Sequence, residues 1–362
     1  MEKTKPKIAV IGLKGLPAFG GAAAVGENLI EELKEKYDFT VLSVASHADI
    51  SFSSFNGYKQ IVFRNFGRGA LNTLLYYLRS MVHVLINNYD LIHLHHAESG
   101  FITPFLRFKY NVLVTFHGAF NVLDPKFNKI TNDFFKLSEF LNLKFANIVT
   151  SVSKANISYF QKRLNRRIYY IPNGVNVLDL CIDKIGDKIV FSASRIYSIK
   201  GLHLLIKALE KINFKGKLFI IGSFEHEKGY KSQIDELIKS INVAFVGLVK
   251  NKKKLYSLIA QSSLFVFPSI YEAMSMMLLE AASVKTPIIA SDIEANTYIF
   301  NESEITFFQS NNVIDLAEKI HFCIEKPNIL KQKAEMAYQK VVNNYNWKSI
   351  SNLYNQHYLE LI

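Results

Sequence analysis

Two cysteines in 362 residues, Cys181 and Cys323, are too few for a disulfide framework, and neither has a Cys or His partner at metal-ligand spacing. A reducing compartment is the expectation. The opening MEKTKPKIAV runs from a short charged tail into a strand pattern, without the apolar core and small-residue cleavage site of a secretory leader. Long hydrophobic runs are also missing: the greasiest stretch, ALNTLLYYLRSMVHVLINNYDLIHL, is broken by Arg79, Asn87, Asn88 and Asp90 and falls short of the roughly 18 apolar residues of a spanning helix. A soluble, cytoplasmic protein follows. Low-complexity segments and short-period repeats are absent, and no basic stretch is interleaved with aromatics as in nucleic-acid readers, so no nucleic-acid partner is expected.

Acidic residues are in deficit, with 31 Asp and Glu against 43 Lys and Arg and a formal net charge of +12. The excess is uneven: residues 1–170 hold 21 basic against 12 acidic side chains. Such a face fits anionic headgroups, a phosphorylated substrate or nucleic acid, and equally a solvated surface. Its charge alone does not choose.

What is present is an alternation. KIAVIGL, a glycine-rich turn and GENLIEELKEKY read as strand, loop and helix, and the unit recurs through FTVLSVA, IVFRN, DLIHLHH, NVLVTFHG and NIVTSVS. Short continuous apolar runs between helical patterns indicate a parallel sheet covered on both faces. A Pro172-Asn173-Gly174 turn and a polar stretch then interrupt the rhythm, which restarts at KIVFSASRI and continues to TPIIASD. The expected domains are residues 1–172 and 173–345, with a terminal helix, 346–362, packing back on the first. Open sheets of this kind bind ligands outside the carboxyl ends of their strands.

Four positions carry candidate chemistry. Gly20 and Gly21, between a strand and a helix, let the backbone approach an anion, although the loop lacks the G-x-G-x-x-G fingerprint. Arg195 and Lys200 follow a strand and precede a helix, a guanidinium fork and a point charge suited to a diphosphate or to a surface pair. His117 ends a buried strand, whereas His93, His95 and His96 read as core or sheet-edge packing, with no acidic or further histidine group to complete a metal site. In FPSIYEAMSMMLLEAASVKTP, Glu272 falls in a loop and Glu280 in the second turn of a helix capped at Ser275, whose amides at Ser275, Met276 and Met277 are free donors. An acid and base pair for glycoside hydrolysis is the weaker reading of these two carboxylates.

Glu272 and Glu280, separated by seven residues and followed by Ala281 and Pro287, resemble the E-x7-E signature of the large retaining GT-B glycosyltransferase group, family four, which uses nucleotide sugars. The resemblance extends in order through the Gly-Gly loop, VTFHG, NIVTSVS, IPNGV, Arg195 with Lys200, FVGLV, FPSIYE and the Trp347 helix. It implies an α/β fold of two Rossmann-like domains facing each other across a cleft. It also implies a metal-independent, cofactor-free hexosyl or deoxyhexosyl transfer from a nucleotide-sugar donor to a lipid-linked glycan acceptor in cell-surface polysaccharide synthesis. Arg195 and Lys200 would neutralise the donor diphosphate, Glu280 would hold the ribose, and Glu272 with Ser275, Met276 and Met277 would hold sugar and phosphates. His117 would lie near the reacting centre, and Gly20 and Gly21 would approach the phosphates. Ala273 and Lys285 stand where relatives carry glycine, and SASR precedes Arg195 where glycine is usual. A non-hydrolysing sugar-nucleotide epimerase and a non-catalytic nucleotide-sugar binder on the same fold are the alternatives. The inner face of the cell membrane is where a basic first half would meet an anionic surface.

Overall fold

A computed structural model describes residues 4–18, 21–48, 57–66, 69–118, 129–178, 187–225, 227 and 229–362. Gly20 and Cys181 lie outside the described residues. The chain forms two compact units, residues 1–174 with 347–362, and residues 175–346.

The first unit is built on seven strands: β1 (Lys7–Lys14), β2 (Asp38–Val44), β3 (Lys59–Phe63), β4 (Leu91–His95), β5 (Asn111–Phe116), β6 (Ile148–Ser151) and β7 (Tyr169–Tyr170). All pairings are parallel and the order is β3-β2-β1-β4-β5-β6-β7. The apolar runs form the centre of the sheet because both faces are covered, so every residue of LIHLH in β4 is buried. Strand order reverses between β1 and β4, which opens a crevice beyond their carboxyl ends. Tight packing shapes that edge: a Cβ on Gly12 (φ +109) would lie 2.2 Å from the carbonyl oxygen of His95, and one on Gly15 2.2 Å from that of His47. These two glycines serve close approach of chain to chain.

The terminal helix Trp347–Leu361 belongs to this unit. Trp347, Ile350, Tyr354 and Tyr358 are buried with Ile8, Val10, Leu29 and Phe39 in one cluster. Each such side chain contributes about 1.5–3 kcal/mol on leaving water. Gly174 leaves room for Trp347, since a Cβ there would be 2.6 Å from the indole.

The second unit repeats the design with β8 (Lys188–Arg195), β9 (Lys217–Ser223), β10 (Val243–Gly247), β11 (Leu264–Phe267), β12 (Ile288–Ser291) and β13 (Thr306–Phe308). Their order is β10-β9-β8-β11-β12-β13, again parallel, with the reversal between β8 and β11. Each unit also has a register shift near the carboxyl end of its first strand, between Ile11 and Lys14 in β1 and between Ser192 and Arg195 in β8. Such irregularities re-aim side chains. Here they bring Lys14 and Arg195 to the crevice edge of their own sheets.

Candidate active site

In the second unit the site grows from the loops after β8 and β11. Beyond β8, Ser198–Lys200 form a single 3-10 turn closed by Gly201 (φ +70), whose missing Cβ would fall 2.0 Å from the carbonyl oxygen of Pro268. The amide of Ile270 donates to the carbonyl of Ile199 at 2.8 Å, tying the two loops together. As a result Lys200 Nζ donates to Glu272 Oε1 at 2.5 Å, and the Ser269 hydroxyl donates to the same oxygen at 2.7 Å. Arg195 is exposed and enters no ion pair among the described residues.

Glu280 lies in the helix Met276–Ala282 and is buried. One of its oxygens receives the Lys252 ammonium; the other, Oε2, is buried without a hydrogen-bond partner among the described residues. Burial raises the Glu280 carboxyl above its ordinary value, with the Lys252 charge acting against it. Lys252 opens the helix Lys252–Ala260, which Asn251 caps by accepting from the amide of Lys254 at 3.0 Å.

This geometry also bears on the weaker reading of the two carboxylates. Glu272 and Glu280 do not act on each other as an acid and base couple; each has its own lysine, 72 residues away for Glu272 and 28 for Glu280. Ser275 does occupy the cap position, but its hydroxyl donates to Asn296 Oδ1 and makes no capping bond. Of the three amides expected to be free, that of Met276 already donates to the Met274 carbonyl at 3.1 Å. Lys285, where glycine was expected, takes the left-handed conformation glycine favours (φ 54) and pairs with Glu335 at 2.8 Å. Ala273 is not among the residues of positive φ, so it fills its place without that strain.

In the first unit, His117 follows β5 and is partly exposed. The register of β4 and β5 pairs His95 with Thr115, which puts His117 beside His95. His117 Nε2 and His95 Nδ1 share a hydrogen bond of 2.9 Å with their rings stacked at 5.2 Å, and His96 packs on His117 at 5.1 Å. Behind them His93 is held at both nitrogens, by Tyr358 Oη at 2.7 Å and Thr115 Oγ1 at 2.8 Å. Lys14 pairs with Glu98 at 3.4 Å. Lys14 (φ 67) and His96 (φ 70) both hold backbone conformations rare outside glycine. Burial holds His93, His95, His96 and His117 below the usual histidine range, His93 at about 3. The neighbouring strand brings His117, and the turn after β4 brings Glu98, to the H-x-H-H run, contacts that the sequence alone did not show. Even so, no cluster of three or more metal-ligating side chains occurs among the described residues. Gly21 opens the helix Gly21–Leu33 with φ +58, and a Cβ there would meet nothing within 4 Å.

Sequence reasoning passed over Lys252, Ser269, Lys14 and Glu98. Lys252 stands in the run KNKKK, which looks like a solvated face, and nothing local marks it as the partner of a buried acid. Part of the basic excess is also structural: Arg163 pairs with Glu139, and Arg166 donates to the carbonyls of Leu143, Ala146 and Asn147.

Comparison with known proteins agrees with this division into two units. Residues 19–177 match the family model described as Glycosyltransferase Family 4, and residues 183–340 match Glycosyl transferases group 1. An uncharacterized 41.2 kDa protein in the cps region of Klebsiella pneumoniae is 23% identical over 90% of this chain and 95% of its own length. The capsular polysaccharide biosynthesis glycosyltransferase CapM of Staphylococcus aureus is 26% identical over 44% of each chain. Among solved structures, Anabaena HepE in complex with UDP and glucose superposes with a TM-score of 0.78 at 18% identity, covering 98% of this chain and all of that one. The fold is GT-B, and with one model over each unit the chain belongs to the glycosyltransferases.

Proposed function

We propose that the protein is a retaining glycosyltransferase that moves a hexosyl or deoxyhexosyl group from a nucleotide sugar to a lipid-linked glycan acceptor in cell-surface polysaccharide synthesis. The observation that carries this reading is the arrangement at the β8–β11 reversal: Arg195, in no ion pair among the described residues, ends β8, and the loop that follows carries the lysine of a Lys200–Glu272 pair, at the edge where open sheets bind ligands. Arg195 and Lys200 stabilise the departing nucleoside diphosphate in place of a metal ion, so no metal or cofactor enters the reaction. Glu280 offers its unpartnered Oε2 to the ribose hydroxyls, which can donate to it. Glu272, steadied by Lys200 and Ser269, receives hydroxyls of the donor sugar, and the amides of Ser275 and Met277 support the phosphates. Gly21, with Gly20 before it, serves phosphate approach in the first unit. HepE, bound to UDP and glucose, and the capsular enzyme CapM support the donor class and the polysaccharide setting.

Nucleotide sugars should be screened by thermal shift and then by nucleoside diphosphate release with and without acceptor. Glu272→Ala is expected to abolish release in a protein that still folds, with a lowered melting temperature because Lys200 loses its partner. Full activity in that variant would overturn the assignment, and release of an isomerised nucleotide sugar without acceptor would favour the epimerase reading.

The acceptor's lipid places the first unit at an anionic bilayer. Its helices Ala70–Ile86 and Lys129–Phe145 contribute to one hydrophobic cluster through Tyr76, Tyr77 and Leu143, yet expose Ile86 (75%) and Ile130 (80%) and carry Arg79, Lys136 and Lys144, and Phe108 (88%), in a turn outside both helices, is exposed as well. Among the described residues no helix is long and apolar enough to cross a membrane. Flotation with vesicles of phosphatidylglycerol should carry the protein up, and Phe108→Glu with Ile130→Glu should release it. Equal binding by the double variant would remove this face from the proposal.

A further inference from the structure

The histidine pair at the ends of β4 and β5 limits what His117 can do. One proton lies between His95 Nδ1 and His117 Nε2, 2.9 Å apart. Two arrangements satisfy that bond. If His117 Nε2–H donates, His95 must carry its own proton on Nε2, where it is buried with no acceptor among the described residues. If His95 Nδ1–H donates, the buried Nε2 of His95 is a bare lone pair. Orphaned N–H donors are rarer in protein interiors than unsatisfied acceptors, so the second arrangement wins. Both rings are neutral, since burial and the neighbouring histidines disfavour a charge on either. A neutral His117 that accepts at Nε2 must carry its proton on Nδ1.

We infer that His95 is a positioning residue that fixes the tautomer of His117, so that His117 presents Nδ1–H as a hydrogen-bond donor to an oxygen of the bound substrate and does not serve as a base. The pair is itself braced. His93 lies 4.2 Å behind His95 ring to ring, and because both His93 nitrogens are occupied by Tyr358 and Thr115, it takes no proton from His95. Gly12 closes on the His95 carbonyl and keeps the strand end in place. The inference rests on the reading that His117 touches substrate, but its structural half stands apart from activity.

The full chain labelled with ring-15N histidine decides it by long-range proton–nitrogen spectra at pH 7.5, with His117 assigned from its disappearance in His117→Gln. The expected pattern is a protonated Nδ1 on His117. In His95→Leu the donor is gone and the His117 proton shifts to Nε2; in His95→Asn the amide NH2 replaces the lost donor and the Nδ1–H pattern returns. Turnover should follow, falling about tenfold in His95→Leu, the worth of one hydrogen bond, with donor KM within about twofold. His95→Asn should recover to within about threefold of the parent. A protonated Nε2 on His117 in the parent, or an unchanged tautomer in His95→Leu, overturns the inference. Parental turnover by His117→Gln would instead overturn the substrate contact, leaving the spectra to decide the tautomer.

Discussion

Arg195→Ala should lower kcat about a hundredfold to a thousandfold, the range found when one preorganised stabiliser of developing charge is removed. The melting temperature of the second unit should not change. The two halves of that expectation come from one fact: the guanidinium is exposed and spends no ion pair on the fold. Surface substitutions of that kind stay within about 0.5 kcal/mol in stability. Arg195→Lys should recover little, because an ammonium offers a point charge where the fork offers two parallel donors to a phosphate. Lys200 predicts a different signature. It is bonded to Glu272 at 2.5 Å with little exposure of either side chain, so Lys200→Met strands a half-buried carboxylate and lowers both turnover and melting temperature. Stopped turnover and differential scanning fluorimetry on the two variants separate the roles. If Arg195→Ala keeps more than about a tenth of parental turnover, Arg195 is not the leaving-group cation and the β8 loop serves another purpose.

The parts of this site that were legible in the sequence are those whose signal is local. Both sheets could be read because strands buried on two faces are continuous apolar runs, as LFVF in β11 and IVTS in β6 are. The helix Lys129–Phe145 could not. Its inward face holds Ser138, Glu139 and Asn142, while Ile130 and Leu137 face solvent, so its pattern is inverted relative to a core-facing helix. The polar inward face has partners that sequence does not show: Asn142 accepts from Thr103 Oγ1 at 2.6 Å, and Gly100 packs on the Ser138 carbonyl. The candidate site residues divide the same way. Arg195, Lys200, His117, Glu272 and Glu280 each announced themselves by residue type at a strand end or helix start. Which cation meets which carboxylate did not, because a pairing such as Lys252 with Glu280 is made by two helices meeting in the fold and not by neighbours in the chain.

Acid should unfold the first unit before the second, beginning near pH 6.5. His93 and His95 are buried, His117 is half-buried against them, and all three are neutral; burial holds each below its ordinary value, His93 at about 3, and His96 is lowered in the same sense. In the unfolded chain the same residues titrate near 6.5. Between these limits the folded state binds fewer protons than the unfolded one. Stability is therefore complete above about pH 6.5 and is lost as pH falls, at about 1.4 kcal/mol per pH unit for each histidine. The buried histidines act in the same sense, so the loss deepens steadily from pH 6.5 toward pH 5. Carboxylates contribute little until lower pH, which isolates the histidine effect in this window. In the second unit His203 is the histidine with a lowered value among the described residues, against six in the first, so its decline over the same window is shallower. The chain has one tryptophan, Trp347, and it is buried in the first unit, so its emission reports that unit alone. Emission should redden between pH 6.5 and 5 while hydrogen exchange of β8, β11 and β12 stays slow, and His93→Gln should make the tryptophan transition shallower. Trp347 emission unchanged down to pH 5 would mean that the buried histidines take up protons without leaving the core, and would remove them as the acid-labile element of the fold.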